Sequence, residues 1–68
     1  MPDFVLRALE KSKLFDAYGE RPPYQRNDYI GWINRAKLPA TQQKQLNQML
    51  EELEAGDVYM KMKYNPKA

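Results

Sequence analysis

The residues able to do chemistry in this chain are few and unevenly placed. Four carboxylates, Glu51, Glu52, Glu54 and Asp57, fall in one short block. Glu51 and Glu54 stand at the i, i+3 spacing that shares a helical face. A carboxylate pair does general acid–base work when an apolar cleft separates the two roles. Carboxylates alone hold a calcium ion when a dedicated loop spaces them. Neither the cleft nor the loop pattern is visible here, so Glu51, Glu52 and Glu54 read as a solvated face. The chain has no histidine and no cysteine. That removes the commonest general base, the thiolate nucleophile and the usual zinc ligands. The expectation is a protein that is not an enzyme, with no catalytic residues, no metal and no cofactor.

Basic residues offer a second chemistry. Arg35 and Lys37 close the second helical segment, where cations suit the helix dipole. The next segment starts close by, and its first turn, with Thr41, points backbone N–H groups outward, as anion sites do. Arg26, Arg35, Lys37, Thr41 and Lys44 are therefore the candidate partner-binding surface, and the expected partner is another protein. The alternative partner is a nucleic acid. The segment boundary then resembles a helix-turn-helix, with Gln42 and Gln45 reading base edges and Lys44 on phosphate. Against it stand a net charge of only +2 and the three glutamates on the same helix. Tyr29 and Trp32 form either a binding platform or core. Their spacing with Ile33 and Ala36 favours core.

These side chains need elements to position them. The first segment, residues 3–18, has Asp3 as a helix cap and Val5, Ala8 and Leu9 on one face. Lys11-Ser12-Lys13 breaks that stripe, so the segment reads as two helices, with Ser12 capping a second turn that carries Leu14, Phe15 and Tyr18. Gly19, Pro22 and Pro23 mark a break. The second segment, residues 23–37, starts on Pro23 and places Tyr29, Trp32, Ile33 and Ala36 at i, i+3, i+4 and i+7, with Ile30 widening the stripe. Gly31 inside it leaves room for a ring or backbone to approach. The third, residues 39–55, starts on Pro39, repeats Leu46, Met49, Leu50 and Leu53, and stops at Gly56. Its terminal glutamates oppose the helix dipole, and the lysines that follow are the expected compensation.

The fold class that follows is all-α: a small bundle of three main helices, the first either continuous or split in two, with an extended C-terminal tail. The helical domain spans residues 1–56 and the tail residues 57–68. In the tail, Val58, Met60, Met62 and Tyr64 alternate with Tyr59, Lys61 and Lys63. Alternation reads as a strand, but a lone strand needs another chain to pair with. The simpler expectation is an extended segment, frayed beyond Pro66. A homo-oligomer built on Met60, Met62 and Tyr64 is the separate reading of the same pattern.

Composition sets the outer bounds. With 68 residues there is room for one small domain of marginal stability. Apolar residues make up 43% and charged residues 29%, a globular balance rather than a disordered one. No apolar run is long enough to span a membrane, and the first residues lack the pattern of a secretory leader. The expected location is the cytoplasm.

The stretch from Tyr24 to Gly56 resembles one known family. Arg26, Tyr29, Trp32, Ile33, Ala36 and Lys37 read Arg-x-x-Tyr-x-x-Trp-Ile-x-x-Ala-Lys, followed by Pro39 and Thr41, then Leu50 and Gly56. Pro2-Asp3 and Ala8-Leu9 match the opening helix. This pattern is similar to the YdeI/OmpD-associated (OmdA) family, also called the bacteriocin-protection family. The resemblance implies a small all-helical module without enzymatic activity. It also implies a role in protection from bacteriocins or cationic antimicrobial peptides, with porin association in some members. The chain departs from the family pattern at Leu38, where a basic residue is usual, and at Ala40 and Gln42, where an acid and an arginine often flank the threonine. Its corner is less charged than the family's.

Overall fold

A computed structural model of the chain describes residues 2–63. Four helices follow one another: α1 (Asp3–Lys11), α2 (Phe15–Glu20), α3 (Pro23–Arg35) and α4 (Pro39–Ala55). A two-stranded antiparallel hairpin, β1 (Val58–Tyr59) and β2 (Met62–Lys63), follows α4.

The first segment divides as its broken stripe predicts, but through different residues. Pro2, not Asp3, is the N-cap of α1, and its carbonyl accepts from the Val5 and Leu6 N–H groups. Asp3 lies in the first turn, where its charge suits the helix dipole. Ser12 closes α1 instead of opening α2: its hydroxyl donates to the Ala8 carbonyl at 2.7 Å. Lys13 then takes a left-handed conformation at φ 61°. The Lys13 N–H donates to the Glu10 carbonyl and the Leu14 N–H to the Leu9 carbonyl. This is the Schellman arrangement, with a lysine where glycine is usual.

α3 and α4 start on prolines whose missing N–H would be unpaired in a first turn anyway. α3 ends at Arg35, two residues before its expected end, because Ala36 is already extended at ψ 125°. Leu38 is also extended, as the residue before a proline must be. Among the described residues, no ring and no backbone from another element comes close to Gly31. A Cβ there would meet only the guanidinium of Arg35 from its own helix, 3.6 Å away. α4 ends at Gly56, whose φ of 83° an L side chain rarely adopts.

The helices close around Val5, Leu9, Tyr18, Tyr29, Ile33, Leu46, Met49 and Leu53, all buried. Ala8, Leu14, Ile30, Trp32 and Leu50 pack against this cluster from its edge. Every apolar stripe read from the sequence thus contributes to one core, and the protein is mostly helical.

The segment after Gly56 turns back instead of running on. Tyr59 pairs with Met62 and Val58 with Lys63. The strands need no second chain, because Met60 and Lys61 form a two-residue turn between them, with φ of 49° and 63°. Two successive left-handed residues are the mark of the turns that suit hairpin twist. The turn also breaks the alternation. Met60 packs against the core while Met62 is exposed, so the two do not share a face. Tyr64 lies outside the described residues, as does Pro66.

Candidate functional site

The expected surface is divided by the fold. Arg35, Lys37 and Leu38 lie exposed where α3 gives way to α4. Leu38 is 66% exposed, the most exposed large apolar residue among those described. Thr41 is half-buried in the first turn of α4. Arg26 is elsewhere. Nine residues of helix, about 13 Å, separate it from Arg35, and its positive charge acts on Tyr18 of α2. Its Nε is buried with no hydrogen-bond partner among the described residues. Lys44 points away from α3. It lines an open depression of about 430 Å³ with Ala40, Asn47, Gln48 and Glu51 of α4 and Lys61 of the hairpin turn.

Trp32 is half-buried on the edge of the core, between the platform and core readings. Gln45 bridges to it across the helix pair. In the amide orientation that satisfies both groups, Gln45 donates to the Trp32 carbonyl at 2.9 Å and accepts from the indole N–H at 3.2 Å. Tyr29 and Ile33 are fully buried, and Ala36 is half-buried. Gln45 is therefore tied to the fold, and Gln42 is itself half-buried.

One side chain departs from its sequence reading altogether. Glu51 and Glu54 are exposed, as a solvated face requires, but Glu52 is only 4% exposed. Its carboxylate accepts from four donors: the Tyr29 hydroxyl, Gln48 Nε2 at 3.0 Å, and the backbone N–H groups of Met60 at 2.7 Å and Lys61 at 2.9 Å. Its backbone carbonyl accepts from Arg21 at 2.9 Å. Arg21 is itself buried and donates to Gln25, which is fully buried. The compensation expected from the tail's lysines comes instead from two of its backbone N–H groups. The signal in the sequence was position. Glu52 follows Met49 by three residues, on the flank of the apolar stripe, so a neighbouring element could cover it.

Tyr29 links this carboxylate to a cluster of tyrosine rings. Tyr59 donates to Asp28, and its ring meets those of Tyr24 and Tyr29 edge-on, with centroids 5.9 and 5.5 Å away. Burial, then donation to Glu52, then the glutamate's charge push the Tyr29 hydroxyl well above the usual tyrosine range, and Arg21 opposes the shift. Burial and then donation to Asp28 push Tyr59 up to about 12. Burial also raises Tyr18, partly offset by Arg26.

Among the described residues, no group of three or more aspartates and glutamates is placed to hold a metal ion. No helix among them is long and apolar enough to cross a membrane. No curated protein and no solved structure matches the chain. The model of one protein family does match, over residues 1–56, and its description is "Bacteriocin-protection, YdeI or OmpD-Associated". With the motif on α3 and α4 in place and most of the chain covered, this protein belongs to the OmdA family.

Proposed function

We propose that this chain is a non-enzymatic protein-interaction module that serves bacteriocin protection through the corner between α3 and α4. The observation that carries the reading is Leu38. An apolar side chain 66% exposed, next to exposed Lys37 and close to exposed Arg35, offers a single apolar anchor with a cationic rim. It suits an acidic, amphipathic segment of a partner protein. The non-enzymatic part draws support from Glu52. Four donors occupy the oxygens of this buried carboxylate, which makes it an acceptor that holds the fold.

The test is survival of a bacteriocin challenge by a strain lacking the gene, complemented with the wild-type chain or with Leu38→Ser. Protection by the wild type and its loss in the variant, at equal protein level, is the expected result. Equal protection by both chains moves the site away from the corner. Equal survival with and without the gene removes the protective role.

A further inference from the structure

The outward face of α4 is exposed at Ala40, Lys44, Asn47, Glu51 and Ala55, with Lys61 of the hairpin turn at its edge. Ala40, Lys44, Asn47, Gln48, Glu51 and Ala55 form one stripe along it at helical spacing. The depression beside Lys44 runs into a second, of about 250 Å³, that shares Gln48, Glu51 and Lys61 and reaches Ala55. A shallow trough therefore follows the helix along most of its length.

α4 has no acid in its first turn and no base in its last. Lys44 stands in the N-terminal half and Glu51 in the C-terminal half, each about one turn in from its end of the helix. Two turns separate them, beyond the reach of an i, i+4 pair. Neither has an ion-pair partner among the described residues. Both charges are unmatched among the described residues of one copy.

An antiparallel copy of the same stripe matches them. With the two-fold axis between Asn47 and Gln48, Ala40 falls opposite Ala55 of the second copy, Lys44 opposite its Glu51, and Asn47 opposite its Gln48. We propose that α4 pairs antiparallel with α4 of a second copy in a two-fold dimer. The alanines at both ends allow close approach of the helices. Two symmetric Lys44–Glu51 pairs form, the central amides hydrogen-bond across the axis, and the helix dipoles oppose. The contact is one helix long and largely polar, so the dimer is weak and salt-sensitive. The proposal does not rest on the α3–α4 corner, since Leu38 lies outside the stripe.

Sedimentation equilibrium at low salt tests it, using the wild type, Lys44→Glu, Glu51→Lys and an equimolar mixture of the two variants. Both residues are exposed, and far-UV circular dichroism confirms that each variant is folded. The wild type associates with rising concentration. Each variant alone places like charges opposite one another and weakens association at least about tenfold. The mixture restores it, because one variant carries an acid at both positions and the other a base at both. Opposite charges then face each other on either side of the axis. A wild type that stays monomeric at all concentrations overturns the proposal. So do single variants that associate as the wild type does, or a mixture that does not recover.

Discussion

Tyr29 donates its phenolic hydrogen to the carboxylate of Glu52, 23 residues further along the chain, and the pair joins α3 to α4 beneath the hairpin turn. The other oxygen of the same carboxylate binds the turn itself through the Lys61 N–H. One acidic side chain thus holds three elements.

Removing that side chain is expected to be costly. Glu52→Ala leaves the Tyr29 hydroxyl, the Gln48 amide and two backbone N–H groups without their acceptor. Each buried unpaired donor costs about 1–3 kcal/mol, so the total is at least about 3 kcal/mol. Tyr29→Phe leaves three donors on Glu52 and is expected to cost only about 1–2 kcal/mol. Urea midpoints of the two variants check the order. Amide exchange at Met60 and Lys61 should accelerate far more in Glu52→Ala than in Tyr29→Phe.

High pH is expected to unfold the protein through its tyrosines. Tyr29 and Tyr59 both have folded values raised above the ordinary tyrosine pKa of about 10. The stability they contribute is fully present below about pH 10. It is lost as pH rises through the folded values, which for Tyr59 is about 12. Denaturant midpoints should therefore begin to fall above about pH 10 and keep falling. Tyr59→Phe should make that decline shallower. Ultraviolet titration of tyrosinate gives the independent reading, and an ordinary midpoint for every tyrosine would contradict their burial.

Two backbone positions can be improved. Gly31 lies in the middle of α3 with ordinary space for a Cβ, so Gly31→Ala should raise stability by about 1 kcal/mol. Lys13 holds a left-handed conformation that glycine adopts without strain, so Lys13→Gly should gain up to about 1 kcal/mol. Thermal unfolding of each variant measures the change.

Duplex DNA should leave the amides at the α3–α4 corner unmoved. Gln45 is tied to Trp32 and Gln42 is half-buried, which leaves Lys44 as the exposed basic residue of the supposed reading helix. An NMR titration at low salt checks this. Shifts that cluster on residues 35–45 and vanish with added salt would reinstate the nucleic-acid reading.

The apolar stripes were legible in the sequence because burial imposes its period directly on residue type. Val5 with Leu9, Tyr29 with Ile33, and Leu46 with Met49 and Leu53 all lie where that period puts them. The prolines marked two helix starts, and Gly56 marked an end. What the period could not convey was the role of a polar residue at the edge of a stripe. Glu52 and Glu51 are the same residue type one position apart, yet only Glu52 lies under the hairpin. The hairpin was itself hidden, because Met60 and Lys61 are not the asparagine and glycine that normally signal such a turn. Its left-handed residues are held by their N–H bonds to Glu52, a contact that only the tertiary fold supplies. The positions of Arg35 and Lys37 follow from the helix boundaries alone, which Pro39 and the α3 stripe mark in the sequence. The directions of Arg26 and Lys44 depend on how the helices pack, which the period does not convey.

The turn at Met60 and Lys61 lies beyond Gly56, where the family match stops. Its two N–H groups nonetheless satisfy a carboxylate inside the matched region, and Tyr59 covers the ring of Tyr29. The edge of the family match therefore falls between a buried acceptor and two of its donors. A chain cut after Gly56 would keep the whole family match and yet leave the Glu52 carboxylate without two of its four donors.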